Sequence, residues 1–313
     1  MHVFLAGGTG VVGQRLVPQL VARGHRVTAT TTSAGKLGLL RQLGADGVVM
    51  DGLDAGAVGE AVATAAPDVV VHQMTGLSQV HAGKPDLRHP EKFFAATNRL
   101  RTEGTDNLMA AAQAAGVPHF VAQGFGAFNA IRTGPWVTTE EDPLNPDLTA
   151  AMTEALNHLE NAVLAAGGAV LRYGGLYGPG AIEDQVTLVR KRMYPLVGSG
   201  TGYSSWIHLD DAAGATVLAL EQHARGVFNV VDDEPAPAGE WLPYLAACAG
   251  AKRPMRLPAW LARLVAGDMA VMMMTEVRGF SNAKAKRELG WVLQYPSWRQ
   301  GFKAELGFKE APV

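Results

Sequence analysis

Gly7, Gly10 and Gly13 recur at every third position of "GGTGVVG", straight after the apolar run "HVFLA" and straight before "QRLVPQLVARG", which has helical periodicity. A strand that turns into a helix over bare backbone is suited to holding an anion. Gly7 permits the tight turn, Gly10 lets the chain approach a diphosphate, and Gly13 lets helix and strand pack closely, while N–H groups at the helix start point at the charge. Thr9 and Val11, between the glycines, belong to the same cradle. A nucleotide triphosphatase loop would require Lys and then Ser or Thr after the last glycine; Gln14 and Arg15 stand there instead and exclude it. The spacing points to a dinucleotide.

Residues able to handle a proton or orient a carbonyl are fewer. Glu154 and His158 stand four apart and share a helix face, so they form either a carboxylate–imidazole proton shuttle or a solvated ion pair. Tyr173 and Tyr177, in and after the strand "AVLRY", are either proton donors or packing residues. Gln123, ending "HFVAQ", can orient a carbonyl but has no acid or base function at neutral pH. The nine histidines show no His-Glu-x-x-His run or ligand spacing, so no metal is expected, and His72 reads as a strand-end histidine. No Gly-x-Ser-x-Gly elbow is present, which disfavours a hydrolase of that type.

Such residues need a scaffold, and the chain supplies the pattern of one. "HVFLA", "RVTAT", "GVVM", "DVVVH", "HFVAQ", "AVLRY" and "GVFNVV" are short, nearly wholly apolar runs separated by segments long enough for crossover helices. Strands of that texture are buried on both faces of a parallel sheet. The expected fold is α/β, a doubly wound parallel (Rossmann) sheet with a smaller C-terminal substrate lobe. Residues 1–175 would form the dinucleotide-binding domain, with 206–232 returning to it, and 176–313 mainly the second lobe. Pro18, one turn inside the first helix, should kink it or mark a broken first turn.

The 313 residues are 48% hydrophobic and 18% charged with a net charge of −2, which gives no footprint for nucleic acid or a polybasic membrane patch. The single Cys248 excludes an internal disulfide and reads as a small buried hydrophobe. Met1 leads straight into an apolar strand without a signal-peptide pattern, and the apolar stretch Trp260 to Met274 carries Arg263 and Asp268 and is too short to cross a bilayer. The reading is a cytoplasmic protein that binds a small-molecule substrate; a homodimer is compatible with it. At the end of the second strand an acid would pair with the ribose hydroxyls of NAD, yet Thr30, Thr31, Thr32 and Ser33 stand there with Lys36 close by. Hydroxyls and an ammonium suit an extra phosphate, so NADP is preferred and NAD stays open.

The chain resembles the extended short-chain dehydrogenase/reductase family, in its NAD-dependent epimerase/dehydratase branch. The likeness rests on "GGTGVVG", "VVMDGLD", "DVVVH", "EGTDNLMAAAQAAGVPHFV", "LRYGGLYGPG", "WIHLDDAA", "FNVVDDEP" and "SNAKAKRELGW". It implies that Asp51 and Leu53 lie near the adenine, that Gln73 and Met74 pass beside a ribose, and that Tyr173, Gly174 and the residues up to Leu176 approach the nicotinamide. It also exposes a departure. Family oxidoreductases carry a Ser or Thr after the fifth strand and a Tyr-x-x-x-Lys on the next helix. Here Gly124 takes the first position, and Met152 with Leu156, or in another register Ala150 with Glu154, take the others. No tyrosine precedes Tyr173, and no lysine lies between Lys92 and Lys191. Three expectations follow: hydride transfer with an unusual proton source, a non-redox reaction over a retained dinucleotide, or cofactor sensing without catalysis.

Overall fold

The computed structural model describes residues 1–77, 88–126, 132–142 and 150–307. Each apolar run becomes a strand: β1 (His2–Ala6), β2 (Arg26–Thr31), β3 (Asp46–Val49), β4 (Val69–His72), β5 (His119–Phe125), β6 (Ala169–Tyr173) and β7 (Gly226–Val230). They form one sheet in the order β7-β6-β5-β4-β1-β2-β3, with every pairing parallel. The chain runs outward through β2 and β3, then returns to the other side of β1 as β4. That reversal opens a crevice at the carboxyl ends of β1 and β4.

Both faces of the sheet are covered, as the apolar texture requires. Val3, Leu5, Leu16, Val71 and Ala215 share a core on one face, and Phe4, Val70, Leu108, Leu159 and Val163 on the other. Helix α1 (Gly13–Ala22) runs on through Pro18, so the expected break is absent. The helix Leu209–Glu221 packs against α1 and leads into β7. A separate core, built from Tyr177, Trp206, Trp241, Leu245, Trp298 and Phe302, holds the later lobe together. Ala285, Leu289 and Trp291, late as they are in the chain, pack with the sheet. The methionine-rich helix Ala259–Thr275 is broken at Gly267, whose φ of 84° and ψ of 175° are not helical. No helix among the described residues is long and apolar enough to cross a membrane.

Asp232, just past β7, carries a measurable consequence of this packing. It is 1% exposed; Oδ1 accepts the Glu234 N–H at 3.1 Å while Oδ2 has no partner among the described residues, and burial pushes its pKa up to about 8. Between the ordinary carboxylate pKa and that value the unfolded chain ionises while the folded one does not. Stability should therefore fall as pH rises through this window, by up to about 1.4 kcal/mol per unit. Urea unfolding from pH 5 to 8 should show the slope, and Asp232→Asn should flatten it.

Candidate active site

A cleft of about 1220 Å³ follows the carboxyl edge of the sheet from the glycine turn to the methionine-rich helix. At its β1 end the three glycines differ in what a side chain would meet. Gly7 has φ +97°, and a Cβ there would lie 2.8 Å from the backbone of Gln73; at Gly13 it would lie 2.5 Å from the Gly7 oxygen. At Gly10 only the Gly7 oxygen is near, at 3.3 Å, and the rest of that face is open to the cleft. No side chain caps α1, and the N–H groups of Val11 and Val12 have no acceptor among the described residues. These donors, unsatisfied within the chain, lie where an anion would sit.

Thr9, Val11, Thr31, Asp51, Leu53, Gln73, Met74 and Gly174 also line the cleft. Thr9 Oγ1 lies 3.3 Å from Thr31 Oγ1, and Asp51 Oδ1 accepts the Leu53 N–H at 3.0 Å, which ties the turn after β3. Lys36 ends the short turn Ala34–Lys36 on the surface, outside the lining.

Beneath the centre of the cleft lies a chain of hydrogen bonds whose directions can be assigned. Thr216 Oγ1 donates to the Ala212 carbonyl at 2.8 Å, so it accepts from the Tyr173 hydroxyl at 2.5 Å. Tyr173 in turn accepts from Gln73 Nε2 at 3.0 Å. The Tyr173 proton is thus committed to Thr216, and burial pushes the phenol pKa up to about 12. Tyr173 forms part of the cleft wall, but its hydroxyl is not free to donate to a ligand. The same chain fixes the Gln73 amide and leaves its Oε1 buried without a partner among the described residues. That oxygen is an acceptor beside the cleft. His72 is satisfied at both nitrogens, accepting the Met74 N–H and donating to the Leu100 carbonyl, and burial lowers its pKa to about 4.

The other proton-handling candidates lie elsewhere, with Gln123 alone joining Tyr173 at the cleft. On the helix Ala150–Ala165 the residues Met152, Leu156, Leu159 and Val163 point inward, so Glu154 and His158, roughly half a turn away, face solvent. His158 Nε2 pairs with Asp106 Oδ1 at 2.7 Å, far from the lining. Tyr177 is fully buried in the later lobe against Trp206, His208 and Phe302, and desolvation pushes its phenol above the ordinary tyrosine range. These three placements correct the expectation of a shuttle or donor at the site. Exchange of Glu154→Gln or His158→Ala should leave kcat/KM within about twofold, as surface changes remote from a site do; a steady-state assay checks it. Trp206 is buried in the later core and Trp260 is 64% exposed; Met269, Met273 and Met274 form the apolar wall of the cleft. Met152 lies in the lining and Leu156 beneath it, the tyrosine and lysine positions in one register of the resemblance; in the other, Ala150 begins the helix and Glu154 faces solvent.

Among the cleft residues not singled out from the sequence is a charged one. Arg101, at the end of the helix Ala95–Arg101, is 5% exposed and lines the cleft with Nη1 unpartnered among the described residues; burial lowers its pKa to about 10.

A doubly wound sheet with a helix start that is uncapped and a Gln73 acceptor that is unpaired among the described residues, and with an open face at Gly10, defines a dinucleotide-binding α/β enzyme. Residues 3–231 match the model of the NAD dependent epimerase/dehydratase family, and the chain belongs to that family. Among curated proteins, a 3-diazoavenalumate denitrifying reductase of Streptomyces sp is 44% identical, with 97% of this chain and 100% of the relative aligned. A 2-alkyl-3-oxoalkanoate reductase of Stenotrophomonas maltophilia (strain K279a) is 30% identical over 81% of this chain and 77% of its own. The human epimerase family protein SDR39U1 (isoform 2), crystallised with NADPH, superposes with a TM-score of 0.75 at 24% identity, covering 98% of this chain and 99% of its own, and so shares the fold. The chain is an NAD(P)-dependent enzyme of the oxidoreductase or epimerase kind.

Proposed function

We propose that this chain is an NADPH-dependent reductase that removes the diazo group from an aromatic carboxylate and releases dinitrogen. The observation that carries it is the cleft itself: a dinucleotide-sized groove in which Tyr173, the tyrosine of β6, has its proton committed to Thr216. When bound, the reduced nicotinamide supplies one hydride; delivered to R–N₂⁺ it gives R–H and N₂, the nicotinamide is oxidised, and no proton is taken up. Reduction of a carbonyl would need a proton for the alkoxide. A cationic acceptor needs none, so loss of the phenol and ammonium removes nothing this reaction uses. The 44%-identical relative, whose name states a diazo substrate and loss of nitrogen, supports the same chemistry.

This chain's own residues would bind, orient and exclude water. The amides of Val11 and Val12 and the open face at Gly10 would receive the diphosphate, and Gln73 Oε1 a ribose hydroxyl, while Asp51 and Leu53 would flank the adenine. Thr31 and Thr32 lie in the lining with no carboxylate on their strand to repel a 2′-phosphate, which favours NADP. Phe93, Phe94, Met152, Tyr194, Met269 and Met273 would enclose a flat ring, with aromatic faces and thioethers that tolerate a nearby cation. Gln123, at the end of β5, would orient a polar substituent. The single buried Cys248 and the lack of a membrane-spanning helix among the described residues fit the cytoplasmic setting proposed with it.

The test is to supply 3-diazoniocinnamate labelled with ¹⁵N₂ and NADPH to the purified protein, with enzyme-free controls. One NADPH should be oxidised per labelled dinitrogen released, with cinnamate as product. Turnover without NADPH loss would favour a non-redox reaction and overturn the reading, as would activity confined to ketone substrates.

A further inference from the structure

We propose that Arg101 is the residue with which this cleft recognises the carboxylate of its substrate. The comparison with the chain's other deeply buried arginines is the starting point. Arg172, as buried as Arg101, is met by Glu160 in a bidentate pair, Nε to Oε1 and Nη2 to Oε2, each at 2.8 Å. Arg278 stacks over Trp136 at 3.7 Å and donates to the Arg132 carbonyl. Arg101 has neither arrangement: among the described residues no carboxylate pairs with it, no carbonyl accepts from it, and its Nη1 is buried without a partner. Its neighbour His72 is neutral and already engaged at both ring nitrogens. A desolvated guanidinium without a counter-ion is unfavourable in the free protein, and a planar fork of donors matches a carboxylate.

Position distinguishes the anions that could meet it. The helix Ala95–Arg101 packs on Ala150–Ala165, which gives Met152 to the cleft wall, whereas the glycine turn on β1 has amides of its own for a diphosphate. Arg101 therefore serves the ring-binding half. A substrate bearing a positive diazo group and a negative carboxylate would then be oriented end to end, with the carboxylate on Arg101 and the cation against thioethers and ring faces. This inference rests on the reading that dinucleotide and substrate share the cleft, and it does not depend on the diazo chemistry.

The experiment uses unreactive probes, so failure of the proposed reaction would not affect it. Cinnamate and its neutral isostere cinnamamide are titrated by calorimetry into the full-length protein saturated with NADP⁺, as wild type, Arg101→Met and Arg101→Lys. NADPH affinity is measured separately by fluorescence. Loss of a charge-assisted pair should weaken cinnamate about 10–100-fold in Arg101→Met, with Arg101→Lys between. Cinnamamide and NADPH should change by less than about twofold, and the Tm of ligand-free Arg101→Met should not fall, because the change removes an unpaired buried charge. Equal loss for both probes, loss of NADPH affinity instead, a lowered Tm, or a wild type that does not prefer cinnamate to cinnamamide would each overturn the proposal.

Discussion

Gly10→Glu should lose nicotinamide nucleotide binding by at least about 100-fold while keeping its fold, since one carboxylate placed against a diphosphate replaces attraction by repulsion in a partly desolvated groove. The reason lies in the unequal surroundings of the three glycines. A Cβ at Gly7 or Gly13 runs into the backbone at 2.8 or 2.5 Å, so substitution there perturbs the turn and confuses binding with folding. At Gly10 the nearest atom is 3.3 Å away and the side chain projects into the cleft. Titration with NADPH, read by fluorescence, checks the loss, and an unchanged thermal transition shows that the fold is retained. Unimpaired binding would mean that the diphosphate lies elsewhere.

Breaking the Glu160–Arg172 pair should be the most damaging single change to stability away from the site. Both side chains are at most 5% exposed, and their two parallel bonds tie the helix Ala150–Ala165 to β6. Glu160→Ala leaves a guanidinium buried with no counter-charge, a loss of about 3–5 kcal/mol in comparable cases. The double change Glu160→Met with Arg172→Met should recover much of it, because an apolar pair of similar volume has no charge to desolvate. Urea unfolding of the two variants measures both effects. If the double variant is no more stable than the single one, the cost lies in packing and not in charge.

The parts of this molecule that could be read in the sequence are those whose cause is local. Seven apolar runs became seven strands, the inner ones because they are buried on both faces and β3 as an exposed edge, and the glycine turn could be read because its geometry is set within seven consecutive residues. The helix pair Glu154 and His158 misled for a specific reason: a spacing of four shows that two residues share a face but not which face. Met152, Leu156 and Leu159 marked the inward side, and giving them equal weight would have placed the pair in solvent. Tyr177 follows a strand that reaches the cleft, yet Phe302, more than a hundred residues later, folds over it. Arg101 could not be read at all. An arginine in a helical stretch ordinarily lies in water, and only packing against a distant helix makes it a buried charge.

The break at Gly267 also bears on how this enzyme could be altered. Its φ of 84° is a conformation that side-chain-bearing residues adopt reluctantly, so the two halves of Ala259–Thr275 meet at a fixed elbow. The half after the elbow carries Met269, Met273 and Met274 to the cleft wall, and its Met269 and Met272 pack with Met152, Leu156 and Phe125. Re-angling that elbow, or exchanging the thioethers beyond it, would resize the chamber for bulkier or slimmer rings while the nucleotide end stays as it is.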